Sequence, residues 1–171
     1  MKPFALLPAI IALLVLTGCA TSTLTTVDSV DLKRYSGKWY EIARIPNTFQ
    51  RDCTGTVTAE YAPLPNGKIQ VINACQKSDG TWKSVKGTAT PVAGSNNTKL
   101  KVNFGVPFIT GDYWIIALDQ KSYQWALVGH PSRNYLWILS RSPKIPDSLY
   151  NQIIQIAREK GYDTGRIMKT K

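Results

Sequence analysis

Gly37-Lys38-Trp39-Tyr40-Glu41-Ile42-Ala43-Arg44 reads as the first strand of a β-sheet protein. A glycine opens it and β-favouring aromatic residues follow. Tyr135-Leu136-Trp137-Ile138-Leu139-Ser140-Arg141, late in the chain, has the same chemistry. Six more strand-like runs lie between them. Residues 54–62 alternate, with Val57, Ala59 and Tyr61 on one face and Thr56, Thr58 and Glu60 on the other. Pro63-Leu64-Pro65-Asn66-Gly67 turns the chain, since Asn-Gly is a strong hairpin signal, and residues 69–76 return. Residues 82–90 put Val85, Gly87 and Ala89 on one face. Residues 99–104 alternate strictly, with Leu100, Val102 and Phe104 opposite Lys99, Lys101 and Asn103. Residues 112–118 and 123–128 flank the turn Asp119-Gln120-Lys121-Ser122.

Eight short strands joined by turns, with no helical pattern between them, argue against a parallel βαβ sheet. Such strands close as an up-and-down barrel or split into a sandwich. The tail differs. Leu149, Ile153, Ile156 and Ala157 follow a helical period after Pro146-Asp147-Ser148, and Gly161 is placed as a stop. One apolar stripe predicts one helix packed outside the sheet, and residues 166–170 suit a short last strand.

The N-terminus is a processing segment. Met1-Lys2 is a short positive start, and residues 3–16 are almost wholly apolar, too short a run to span a bilayer comfortably. Leu16-Thr17-Gly18-Cys19 then resembles the bacterial lipobox. That resemblance implies a signal peptide over 1–18, a diacylglycerol thioether on Cys19 and acylation of the new amine by a palmitate-like chain. One acyl chain holds a protein to a membrane only marginally, whereas two or three tether it firmly. Ala20, where a retention Asp would stand, implies the outer membrane. Residues 19–30 form the lipidated end and a Thr/Ser-rich spacer, leaving 31–171 as one domain.

Lys and Arg number 21 against 11 Asp and Glu, a net charge of +10. The charges are scattered, which suits a solvated basic surface or an anionic partner. Export and the lack of a groove-reading motif exclude nucleic acid. In an oxidising compartment Cys53 and Cys75 form either a disulfide or two buried thiols. With one histidine and no C-x-x-C, no metal site or cofactor is expected. His130 and Ser132 are loop neighbours without the strand–elbow–helix context of a nucleophile, so no enzyme is expected either.

Gly37-Lys38-Trp39, then Asp119 with Tyr123 four residues on, then Arg141 before a C-terminal helix, resemble the signatures of the lipocalin family. Gln120 departs from the aromatic usual at its position. The stretches around Trp39 and Arg141 are similar to the bacterial outer-membrane lipoprotein branch of that family, close to apolipoprotein D. The resemblance implies an all-β fold: an eight-stranded antiparallel calyx with a helix outside. It implies that Gly37, Trp39 and Arg141 seal the base, Arg141 stacking on the Trp39 ring. It also implies binding of a fatty acid or lysophospholipid in envelope maintenance or stress, on the periplasmic face of the outer membrane.

If Arg141 faces inward, alternation turns Leu139, Trp137 and Tyr135 inward too. The ligand-lining set is then Val57, Ala59, Tyr61, Val71, Asn73, Val85, Val102, Phe104, Tyr113, Ile115, Tyr135 and Trp137. This wall is mostly apolar with a few hydroxyls and one amide, suited to an acyl chain. The same alternation turns Glu41 inward, where it needs a neighbouring cation or Tyr as partner, or a bulge that turns it out. A barrel packed shut, serving as an envelope interaction protein, is the alternative, and a homodimer stays open.

Overall fold

The computed structural model describes residues 23–171; the signal segment and Cys19 lie outside them. A short helix α1 (Leu32–Tyr35) precedes β1 (Gly37–Arg44), β2 (Val57–Pro63), β3 (Ile69–Gln76), β4 (Trp82–Pro91), β5 (Lys99–Asn103), β6 (Gly111–Leu118), β7 (Trp125–Gly129) and β8 (Leu136–Ser140). Helix α2 (Asp147–Glu159) and β9 (Met168–Lys169) follow. Each strand pairs antiparallel with the next, and β1 pairs with both β8 and β2, so the eight strands close into the expected barrel. β9 adds to β1 where β1 parts from β2, with Ala43 opposite Lys169. Cys53 and Cys75 are joined in a disulfide.

Several strand ends differ from expectation, and β2 begins at Val57 rather than at residue 54. Arg141 is the first residue beyond β8, and Tyr135 precedes it. Phe104 follows β5, where Asn103 turns the chain by accepting from the Gly105 amide. Tyr123 lies in the β6–β7 turn with φ +56°, because the Asp119 carboxylate accepts from the backbone N–H groups of Ser122 and Gln124.

The base is built around Arg141. Its Nη2 donates to the carbonyls of Arg34 (2.8 Å), Tyr35 (3.2 Å) and Ser36 (2.9 Å), its Nη1 to Lys38 (2.9 Å) and its Nε to Tyr123 (3.3 Å). The last carbonyls of a helix have no partner within it, so a cation there is doubly favoured. The guanidinium lies 3.9 Å above the centre of the fully buried Trp39 ring, whose Nε1 donates to Tyr35 O. Gly37 starts β1 at φ +91°, a conformation that favours glycine.

Two apolar layers follow from the strand alternation. Inside, Trp39, Ala59, Tyr61, Val71, Val102, Ile115 and Leu139 join one core. Outside, Ile153 and Ala157 of α2 pack on Leu136, Ile138 and Leu127. Register shifts between Glu41 and Ala43, and between Ile115 and Ala117, let consecutive residues Ile42–Ala43 and Ile116–Ala117 join this outer layer.

The bulge in β1 also explains Glu41. Strict alternation would set Arg44 on the opposite face; the extra residue lets it meet Glu41 instead. Glu41 Oε1 accepts from Arg44 Nη1 and from Thr170 Oγ1, and Oε2 accepts from Gln50 Nε2. Of the alternatives raised by the sequence, the cation holds: Glu41 stays buried and pairs with Arg44, and the bulge does not turn the carboxylate out but follows it and brings Arg44 to the same side.

Near the base, Tyr113 Oη lies 2.8 Å from Tyr35 Oη and 2.9 Å from Tyr61 Oη. Three phenols share two hydrogen bonds, which keeps their buried oxygens satisfied. Burial, above all, holds the Tyr61 hydroxyl up at about 12 and pushes Tyr35 and Tyr113 well above the ordinary tyrosine value.

Replacing Arg141→Ala should cost about 2–4 kcal/mol in urea unfolding, since charged hydrogen bonds and the stacking are both lost. Glu41→Gln should cost about 3–5 kcal/mol by stranding the Arg44 charge, whereas Glu41→Leu combined with Arg44→Met should recover most of it. A phenol whose folded pKa exceeds its unfolded value stabilises the fold fully below the unfolded pKa, near pH 10, and loses that contribution as pH rises through the folded one. Phenolate absorbance should therefore rise in two phases, the second arriving near pH 12, where Tyr61 titrates, together with loss of the near-ultraviolet dichroism.

Candidate ligand site

In an up-and-down barrel alternate loops share one end. The loops β1–β2, β3–β4, β5–β6 and β7–β8 form the mouth, opposite Arg141 and α1. Inward residues are aligned across strands: Ala59 faces Asn73 and Asn73 faces Val85, while Tyr61 faces Val71 and Val71 faces Gly87.

Exposure divides this inner surface in two. Tyr61, Val71, Val102 and Ile115 are buried in the central core and form a packed floor with Trp39 and the tyrosine cluster, and Ala59 closes it from above. Higher up, Val85 is 42% exposed although it lies on the same strand face as the buried Ala89. Asn73 and Trp137 are half-buried. Inward side chains that meet water mark a lumen open towards the mouth.

One side of this lumen is an aromatic wall. The Tyr135 and Trp137 rings are stacked, with centroids 6.1 Å apart and planes 7° apart. Phe49 of the β1–β2 loop stacks on Tyr135 at 5.7 Å. Trp137 Nε1 donates to Gln50 Oε1, so the loop amide fixes the indole and, through its Nε2, joins the Glu41 carboxylate. On another side, the Phe104 ring occupies the space a side chain at position 87 would take: a Cβ on Gly87 would fall 2.6 Å from Phe104 Cδ1. The wall is thus apolar, with the Asn73 amide as its polar point, while the Tyr113 hydroxyl is tied down in the floor by Tyr35 and Tyr61.

Not every expected lining residue is drawn into this arrangement. Val57 packs with Cys53 and Cys75 in a separate cluster beneath the disulfide. Arg44, Gln50, Phe49 and Tyr35 contribute and were not named by alternation. Phe49, Gln50 and Tyr35 lie on loop or helix, and the β1 bulge hides Arg44. Two open crevices of about 520 and 350 Å³ flank β9 outside the lumen, the larger lined by Arg44, Arg51, Lys169 and Lys171.

The single histidine sits at the mouth. His130 Nδ1 lies 2.8 Å from Ser132 Oγ and also accepts from the Ser132 backbone N–H, while Nε2 is 3.9 Å from Asp112. This pattern folds the β7–β8 loop on itself. Asp112 is engaged by Lys101 Nζ at 2.7 Å, and the Asp112–His130 distance is beyond a hydrogen bond. Among the described residues, no cluster of three or more His, Cys, Asp or Glu is placed to hold a metal, and no helix is long and apolar enough to cross a membrane.

Comparison with known proteins agrees with this geometry. The model of the lipocalin-like domain matches residues 30–171. The chain is 37% identical to the outer membrane lipoprotein Blc of Vibrio cholerae over 162 residues, covering 93% of this chain and 94% of that protein. It is 40% identical to temperature-induced lipocalin-1 of Arabidopsis thaliana (84% and 80% covered) and 33% identical to mouse apolipoprotein D (84% and 77% covered). Insecticyanin from the tobacco hornworm Manduca sexta superimposes with a TM-score of 0.69 over 88% of this chain and 85% of that one, at 20% identity, a likeness of fold. Sealed base, open lumen, outer helix and these matches lead to one conclusion: the chain belongs to the lipocalin family.

Proposed function

We propose that the protein is a lipid-anchored lipocalin of the bacterial outer membrane that holds one fatty acid or lysophospholipid in its upper lumen. The observation that carries this reading is the exposed, inward-facing Val85 above a packed aromatic floor. A lumen closed below and open above admits an acyl chain from one end only. Val85, Phe104, Trp137 and the Tyr135 ring supply its apolar surface, and each Å² of ligand removed from water contributes roughly 25 cal/mol. The polar head stays at the mouth, where water and the basic surface meet it. Relatives that carry the name outer membrane lipoprotein Blc, 37–38% identical, support the location. Cys19 supplies the tether, facing the periplasm, and service in envelope maintenance follows from that place. Binding and release leave the lipid chemically unchanged.

Tryptophan fluorescence of the Cys19→Ser chain should titrate to saturation with one equivalent of oleate or an oleoyl lysophospholipid. Val85→Glu places a charge in the lumen without disturbing the floor and should weaken binding at least about tenfold, or roughly 1.4 kcal/mol. Lys121→Glu, in the base turn, should leave it unchanged. A folded chain that binds neither lipid saturably contradicts the carrier reading and favours a role as an envelope interaction protein.

A further inference from the structure

The largest exposed apolar side chains are gathered at the mouth. Phe49 lies on the β1–β2 loop, Trp82 begins β4, and Phe104, Val106, Phe108 and Ile109 occupy the β5–β6 loop. Phe108 is 103% exposed, its ring directed wholly into solvent by a backbone at φ +63°. The loop is not loosely held. Asn103 Nδ2 donates to the carbonyls of Val106 and Ile109, both at 2.7 Å, its Oδ1 accepts from Gly105 N–H, and Ile109 N–H donates to Val106 O. Residues 104–111 contain no charge. Large apolar side chains gathered at one end of the barrel, on a loop held in a fixed shape, mark an interaction site rather than incidental exposure.

The path of the N-terminal segment indicates which partner. Asp31 N–H donates to Tyr123 Oη and Val30 N–H to Asn96 O, both at the base. Read backwards, the chain climbs the barrel: Val27 N–H donates to Ile115 O, and Thr26 Oγ1 accepts from Thr98 Oγ1. Thr25 then accepts from Lys160 Nζ through both its carbonyl and its hydroxyl. Lys160 lies at the mouth end of α2, where its own carbonyl accepts from Arg133 Nε of the β7–β8 loop. The described chain therefore leaves the fold heading towards the mouth. Four residue steps separate Thr23 from Cys19, a reach of at most roughly 14 Å. A lipid carried by Cys19 would therefore be tethered within that distance of Thr23.

We propose that the mouth rim, led by Val106, Phe108 and Ile109, is a docking surface that seats in the bilayer holding the anchor, so that the lumen opens directly onto lipid. This rests on the reading that Cys19 is lipidated. Arg51, Lys77 and Lys83 stand around the rim with Asp52 and Asp79, and Arg51 has no carboxylate partner among the described residues. With the +10 charge of the whole chain, this favours an anionic headgroup layer. Seated this way, a lipid passes between bilayer and lumen without crossing water.

The test uses nitroxide labels on the full chain, lipidated or carrying Cys19→Ser, with vesicles of mixed phosphatidylethanolamine and phosphatidylglycerol. One label replaces Phe108 (Phe108→Cys), and another stands at the opposite end (Asn66→Cys). On the lipidated chain the label at position 108 should be accessible to oxygen and shielded from an aqueous nickel complex, and the label at 66 the reverse. On the Cys19→Ser chain, Phe108→Asp with Ile109→Asp should lower vesicle binding at least about tenfold. Quenching of native Trp82 by brominated lipid gives a label-free check on the same face. A lipidated, vesicle-bound chain whose rim label stays aqueous overturns the docking surface while leaving the anchor intact. If mass spectrometry finds no lipid on Cys19, the anchor reading falls, and absence of rim-dependent binding by the unlipidated chain overturns the docking surface as well.

Discussion

Arg141 stacked on Trp39 is the constraint on which the rest depends. One guanidinium gathers carbonyls from α1, the start of β1 and the β6–β7 turn, so that three separate segments end on a single planar cation. A planar fork of five donors fits this task, and a lysine ammonium cannot span the same set. With the base shut, any ligand must enter at the other end. The mouth loops, the aromatic wall and the exposed Val85 acquire their meaning from that closure.

Above the base, the wall meets two demands at once. Its inner face lines the lumen, and its outer face must bury α2. The register shifts in β1 and β6 reconcile these demands by placing two consecutive residues beneath the helix. The shift in β1 has a second consequence, since it lets Arg44 meet Glu41 on a strand that would otherwise separate them. An isolated buried carboxylate costs several kcal/mol, whereas one accepting from Arg44, Thr170 and Gln50 is largely compensated. Gln50 extends the network to Trp137, so the carboxylate near the strap of β9 also positions a wall of the lumen.

Period-two patterning was enough to read the eight strands, and the apolar stripe of Leu149, Ile153, Ile156 and Ala157 was enough to read the outer helix. The pairing of Trp39 with Arg141 came from family resemblance, and the geometry bears it out. Depth was harder to read. Alternation says that Tyr61 and Val85 both face inward, but it carries no information on which is packed and which meets water. That depends on partners distant in sequence, such as Tyr35 on α1 and Phe104 folding over Gly87. Arg44 was hidden for a different reason: a bulge breaks the period that would have been used to find it. Tyr123 has strand chemistry yet lies in a turn, because the carboxylate of Asp119, four residues earlier, takes over the local backbone.

The central claim is that the upper lumen, rather than the crevices beside β9, receives the acyl chain. Chemical-shift mapping of the Cys19→Ser chain during titration with oleate tests it most directly. The account predicts shifts at the Asn73 amide, the Val85 methyls and the Trp137 indole, with the Arg141 guanidinium unmoved. Shifts confined to residues 168–171 and the neighbouring Arg51, with the lumen silent, would contradict it.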